Sequence, residues 1–222
     1  MPTALIIGAS RGIGQELARQ YRHAGWRVIA TARKPEDLAG LSALGCEALP
    51  LDVNTLNDCA GLGWKLDDEK IDVAILNAGV YGPRADGLAT PDEVDFNQVM
   101  HTNVLAAMRL LPMIAPLVDH ADGRLAVISS RMGSISMRES NGGWLYRASK
   151  AALNSVLKDI SLSVKNAICI AFHPGWVRTE MGGEGADISV QESAEGIRNT
   201  IASRKAGDNG KFFNYDGTPL SW

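Results

Sequence analysis

Three glycines, Gly8, Gly12 and Gly14, follow directly on the apolar run Ala-Leu-Ile-Ile at 4–7 and lead into Gln15-Glu-Leu-Ala-Arg-Gln-Tyr-Arg22. The order reads as strand, glycine turn, helix. Glycines let the backbone turn tightly and let a ligand come close to the main chain. The first turn of the helix offers unpaired N–H groups and the positive end of the dipole. Together they suit a pyrophosphate. The spacing is G-x-x-x-G-x-G rather than G-x-G-x-x-G, with the same physical mechanism. The plainer alternative is a strand–helix turn whose glycines serve packing alone.

The rest of the chain keeps the alternation. Strand-like apolar runs recur at 3–8, 27–32, 46–51, 71–77, 124–129, 167–173 and, more weakly, 211–214, with helical patterns at 12–24, 36–44, 55–67, 92–118, 144–163 and 190–202. Strands separated by helices on this scale predict a parallel sheet covered on both faces. Right-handed crossovers and a nucleotide at the first strand's carboxyl end define a doubly wound α/β Rossmann-type fold of about seven strands. No shift in composition marks a boundary, so 1–222 reads as one domain. The apolar stretch 104–118 contains Arg109, Pro112 and Pro116 and reads as a buried helix with a bend.

The second strand ends in Arg33-Lys34, where a site for NAD would place an acidic residue on the ribose 2′-hydroxyl. Arg33, with Arg11 inside the glycine turn, suits a 2′-phosphate instead, because guanidinium groups grip phosphate in bidentate fashion. NADPH is therefore expected over NADH. The alternative is that Arg33 and Lys34 are ordinary surface charges.

Tyr146 and Lys150 sit in Tyr-Arg-Ala-Ser-Lys. Four residues on a helix put both side chains on one face, one turn apart. An ammonium near a phenol favours the tyrosinate and lowers the phenol's pKa from about 10, tuning it for proton transfer with an alcohol oxygen. Alone the pattern is weak; the nucleotide turn upstream gives it weight.

Bulk properties narrow the function. A formal net charge of −3 and the lack of a basic block argue against a nucleic-acid partner. Cys46, Cys59 and Cys169 are widely spaced and odd in number, which fits neither a disulfide framework nor a metal site and is expected of a reducing cytosol. No basic leader precedes the N-terminal apolar run and no apolar run reaches about 20 residues, so neither secretion nor a membrane span is expected.

The ordered set Gly8-x-x-x-Gly12-x-Gly14, Asp52, Asn77-Ala-Gly79, Asn103, Ser129-Ser130, Tyr146-x-x-x-Lys150 and Pro174-Gly175 resembles the short-chain dehydrogenase/reductase family over nearly the whole chain. Within it the chain is most similar to the small carbonyl reductases of the C-factor and sniffer type. The shared pieces are the compact length, Tyr-Arg-Ala-Ser-Lys-Ala-Ala-Leu-Asn154, His-Pro-Gly-Trp-Val-Arg-Thr179 and Tyr-Asp-Gly-Thr-Pro-Leu220. The resemblance implies Tyr146 as general acid and Lys150 as the group that lowers its pKa and holds cofactor ribose. It implies that Ser130 donates to the substrate oxygen and that Asn103 holds a water linking Lys150 to solvent. Ser130 is chosen over Ser129 because Arg-Met-Gly133 follows it. A cofactor would be held by Gly8, Ser10, Arg11, Gly12, Ile13, Gly14 and Arg33, by Asp52 and Val53 at the adenine, and by Asn77, Ala78 and Gly79. Pro174, Gly175, Val177 and Thr179 would meet the nicotinamide end. Ser130 and Tyr146 are sixteen apart, longer than the family's usual separation, and the loop 134–143 absorbs the excess.

The expected function is NADPH-dependent reduction of a carbonyl substrate. An NADP(H)-binding signalling or sensor protein is the alternative, and an epimerase or dehydratase acting on a nucleotide sugar is a third reading. Tyr81, Met132, Trp144, Trp176 and Met181 are candidate walls for an apolar substrate, with plain packing as the alternative for each. The family implies a homodimer or homotetramer through the helices at 92–118 and 144–163.

Overall fold

A computed structural model describes residues 1–84 and 87–222. The runs of branched residues become β1, Thr3–Ile7, β2, Arg27–Ala32, β3, Glu47–Pro50, and β4, Val73–Leu76. Further along come β5, Arg124–Ile128, β6, Ile168–His173, β7, Lys211–Asn214, and β8, Pro219–Leu220. They form one sheet in the order β3-β2-β1-β4-β5-β6-β7-β8. All pairings are parallel except the last, where Phe212 faces Leu220 in an antiparallel pair. The sheet thus has one strand more than the seven apolar runs predict. A two-residue strand is too short to carry an alternation signal.

The helices are α1, Gly12–His23, α2, Pro35–Ala43, α3, Leu56–Lys65, α4, Glu93–Met100, α5, Ala106–Asp119, α6, Trp144–Ser163, and α7, Val190–Ser203. They cover the sheet on two sides and produce two cores. One joins Leu5, Ile7, Leu76 and Val127 to Leu110, Ile114, Leu153 and Leu157. The other joins Ile6, Val28, Ile75 and Phe172 to Leu17, Tyr21, Ile197 and Ile201. Successive strand residues feed opposite cores, as the period of two requires.

Between α4 and α5 the chain makes one π turn, His101–Leu105. The stretch 93–119 is apolar and long enough by composition to cross a membrane, yet more than half of its most apolar window is buried inside the protein. It is a core helix. Pro112 and Pro116 both lie inside α5.

The sheet edges are short. β3 ends in Pro50 and β8 begins with Pro219.

Candidate active site

The neighbours of β1 are β2 on one side and β4 on the other, so the strand order reverses there. Ligands of open α/β sheets bind outside the carboxyl ends of the strands at such a reversal. A cavity of about 750 Å³ opens there, lined by residues that follow β1, β2, β3, β4, β5 and β6.

The glycine turn forms its floor. Arg11, the N-cap of α1, makes no side-chain cap bond, so the first helical amides stay available at the cavity. Ser10, Arg11, Gly12 and Ile13 line the cavity. Gly14 lies beneath it. A Cβ there would collide with the Gly8 carbonyl oxygen and come within 2.5 Å of Asn77 Nδ2. Asn77 Nδ2 donates to that Gly8 oxygen at 2.7 Å. Asn77 therefore braces the loop against the end of β4 as well as lining the cavity beside Ala78 and Gly79.

At the far end, Arg33 is exposed, lines the cavity and has no carboxylate partner among the described residues. Arg11 differs from expectation: its guanidinium pairs with Glu180 across the cavity mouth. Asp52 is both a cavity residue and a turn-former. It lines the cavity with Val53, and its Oδ1 accepts the Asn54 amide at 3.0 Å as a turn-former does. A glycine cradle with no room for side chains, free helix amides and two guanidinium groups fit a phosphorylated dinucleotide.

At the other end, Tyr146 and Lys150 come from the first two turns of α6 and are 7% and 3% exposed. Lys150 Nζ donates to the Ile128 carbonyl at 2.9 Å. Gly79 packs so closely that a Cβ would lie 3.2 Å from both Lys150 Nζ and Asn103 Oδ1. Burial pushes the Lys150 ammonium down to about 8. Burial also pushes the Tyr146 phenol up to about 12, the Ser130 hydroxyl pulling it back and Tyr81 adding to the rise. Burial thus works against the lowering of the phenol expected from Lys150. The spacing puts both groups on one face, but their depth in the protein dominates, and a buried lysine resists its own charge.

Ser129 and Ser130 point different ways. Ser129 Oγ donates to Asn154 Oδ1 at 2.5 Å, inside the protein. Ser130 Oγ accepts the Met132 amide at 3.1 Å, caps the short 3₁₀ turn Arg131–Gly133 and lies beside Tyr146. Asn103, on the π turn, is buried and not a surface amide. Its Oδ1 accepts from Val80 N at 2.8 Å, and its Nδ2 donates to Val80 O at 2.8 Å and to Ser149 Oγ at 2.9 Å. Both amide hydrogens are thus spent on protein. A water held at this residue would need the second lone pair of Oδ1 or a backbone group.

The segment after β6 closes the site. Pro174 and Thr179 line the cavity; Gly175 and Val177 do not, Val177 being buried where it bridges to Ile188. Thr179 Oγ1 accepts the Gly182 amide at 3.1 Å and folds the segment into a tight turn. Of the expected substrate walls, Tyr81 and Met181 line the cavity. Trp144 and Trp176 stand at the surface, their Nε1 groups donating to Ala89 O at 3.0 Å and Gly182 O at 2.9 Å. Met132 approaches Gly143.

Three features escaped sequence reasoning. Tyr81 stacks on Tyr146, ring centres 4.6 Å apart at 26°. The Arg84 guanidinium lies 5.5 Å from the Tyr81 ring centre, and its Nη2 donates to Met181 O at 2.9 Å. The third is the Ser129–Asn154 bond. The Tyr81–Tyr146, Arg84–Met181 and Ser129–Asn154 contacts have no local signature, because each joins segments far apart in the chain. No group of three or more His, Cys, Asp or Glu able to hold a metal occurs among the described residues.

A dinucleotide cradle at the sheet reversal and a Ser–Tyr–Lys cluster at its other end describe an oxidoreductase of the Rossmann class. The model of the short chain dehydrogenase family matches residues 2–187, and the chain belongs to that family. Among its relatives, C-signal of Myxococcus xanthus is 35% identical over 68% of this chain and 93% of its own length. The 1-hydroxy-2-glutathionyl-2-methyl-3-butene dehydrogenase of Rhodococcus sp. strain AD45 is 30% identical over the full length of both. Among solved structures, a carbonyl reductase from Pseudomonas aeruginosa PAO1 in complex with NADP is 37% identical with a TM-score of 0.88, covering both chains completely. The carbonyl reductase Sniffer of D. melanogaster is 28% identical with a TM-score of 0.90, again over both full chains.

Proposed function

We propose that the chain, as one dehydrogenase domain over 1–222, reduces a ketone or aldehyde with NADPH. The observation that carries this reading is that Tyr146, with the Ser130 hydroxyl beside it, and Lys150 line one end of a cavity whose other end presents Arg33 and the glycine turn. NADP in the similar P. aeruginosa carbonyl reductase supports the cofactor, as Arg11 and Arg33 do. The cofactor when bound supplies the hydride.

The chain's residues do the rest. The glycine turn and α1 amides hold the pyrophosphate, Arg33 and Arg11 the 2′-phosphate, and Pro174 and Thr179 the nicotinamide end. Tyr146 at neutral pH is a protonated phenol, the form needed to give a proton to the carbonyl oxygen as negative charge develops there. The Ser130 hydroxyl donates to the same oxygen, a placement worth on the order of 3 kcal/mol where such donors have been removed in other enzymes. Lys150, with a pKa of about 8, is mostly ammonium at pH 7 and favours the tyrosinate left behind. Asn103 ties the segment after β4 to α6 and keeps Lys150 in place. Three buried free thiols accord with a cytosolic enzyme. The alanine-rich face Ala148, Ala151 and Ala152 of α6, exposed at Ala148 and half-buried at the other two, would permit close approach of a second copy, which gel filtration would read.

The likeness to C-signal favours a second reading, an NADP(H)-binding signalling protein whose reductase activity is weak or incidental. Titration calorimetry with NADPH and NADH, followed by a carbonyl screen read as NADPH oxidation, separates the two. Tight NADPH binding with turnover supports the reductase. Binding without turnover across the screen supports signalling, and absence of binding discards both.

A further inference from the structure

Ser130 and Tyr146 meet across a long, exposed loop. Residues 138–142 are all exposed, and Ser140 and Gly142 accept hydrogen bonds from Arg147 at the start of α6. The two ends of the loop are also held from beneath. Tyr146, Lys150 and Asn154 recur every four residues on α6 and share one face. All three are buried. Opposite them runs the end of β5, and it is fastened at successive positions. The Ile128 carbonyl takes the Lys150 ammonium at 2.9 Å. Ser129 Oγ donates to Asn154 Oδ1 at 2.5 Å and lies 3.5 Å from the Lys150 carbonyl. The Ser129 amide donates to Phe172 O at 2.8 Å, holding the same residue to β6. Gly133, at the end of the 3₁₀ turn, packs so tightly on Lys150 that a Cβ would sit 2.8 Å from its carbonyl carbon.

We infer that Ser129 and Asn154 are positioning residues, a buried pair that fixes the height at which Ser130 arrives beside Tyr146. The inference rests on the reductase reading. Ser129 lines the cavity, but its hydroxyl is taken up by Asn154, while its neighbour in sequence carries the hydroxyl that lies beside Tyr146. Asn154 stands two turns below Tyr146 and gives β5 a fixed point on the helix that also carries the phenol. The loop 134–143 can then lengthen freely, because both its ends are pinned by contacts outside it. The pairing holds in either orientation of the amide. Reversed, Asn154 Nδ2 donates to Ser129 Oγ, and that hydroxyl donates to the Lys150 carbonyl.

The test compares Ser129→Ala, Asn154→Leu, the double variant and Ser129→Thr. Leucine fills the space of Asn154 and leaves no buried amide to satisfy, so it keeps the test open if Ser129→Ala fails to fold. In each single variant kcat for a reduced carbonyl falls about ten- to a hundredfold, while KM and the NADPH dissociation constant stay within about twofold. The double variant is no worse than the poorer single, because one bond is lost in all three. Ser129→Thr keeps the hydroxyl and stays within about threefold of the parent. Unchanged kcat in Asn154→Leu, or losses that multiply in the double variant, overturns the inference. Amide exchange supplies a readout independent of turnover. Exchange at 130–134 rises about tenfold in Asn154→Leu with the other strands unchanged; unaltered exchange there also overturns it. If the parent protein reduces no carbonyl, the reductase reading fails while the exchange result still decides the pair.

Discussion

Lys150 Nζ donates to the Ile128 carbonyl and stands 5.6 Å from the centre of the Tyr146 ring. The ammonium is therefore held by the end of a strand while it faces the phenol. Its burial has a consequence for stability. Lys150 releases its proton near 8 when folded, against an ordinary 10.5. Between those values the unfolded chain binds more protons, so stability rises with pH through this window, and the penalty for burying the charge is complete below it. Comparing wild type with Lys150→Met by urea unfolding isolates this group from the cysteines and tyrosines. The difference should move in favour of wild type by up to about 3 kcal/mol as pH climbs from 8 to 10.5. A difference that stays flat with pH would contradict the buried lysine.

Tyr146→Phe keeps the ring that stacks on Tyr81 and removes the proton. NADPH affinity by calorimetry should stay near that of the parent, while carbonyl reduction falls by about 10²–10⁴. Retained turnover in this variant would discard Tyr146 as the acid.

Arg33 carries the cofactor preference. Arg33→Gln should weaken NADPH binding about ten- to a hundredfold and leave NADH untouched. Arg11→Gln should cost less, because Glu180 already takes part of its charge. Glu180→Gln, freeing Arg11, should tighten NADPH modestly. Equal losses for both cofactors in Arg33→Gln would remove the 2′-phosphate from the argument.

Gly143 precedes α6 at φ +66, and a Cβ there would collide with the Tyr81 hydroxyl. Gly143→Ala should lower stability by at least about 1–2 kcal/mol for the left-handed conformation alone, and raise KM for the carbonyl by displacing Tyr81. In a Tyr81→Phe background the colliding oxygen is gone, so the same substitution should cost less. Identical costs in both backgrounds, measured by thermal unfolding and KM, would show that Tyr81 is not what fills this space.

The sheet was legible because its strands are runs of apolar residues separated by helices, a pattern local to each segment. β8 was not legible, since two residues leave no period to detect. The glycine turn and the Tyr146–Lys150 spacing are also local, and both were read from the sequence. The burial that works against that pair's expected electrostatics is not legible, because it comes from packing by segments remote in the chain. Asn103 read alone looks like a surface amide. The π turn that takes it inward has no composition of its own, and its partners Val80 and Ser149 are found only in the folded chain. Arg11 is legible as a cation in the glycine turn, but its partner Glu180 lies 169 residues away.

The two outer strands of the sheet are short, and each carries a proline, Pro50 on one flank and Pro219 on the other. Proline has no backbone donor to offer a neighbouring strand, and a strand of two or four residues gives a template little to copy. The molecule is thereby guarded against zipping onto other chains margin to margin, a route to fibrils.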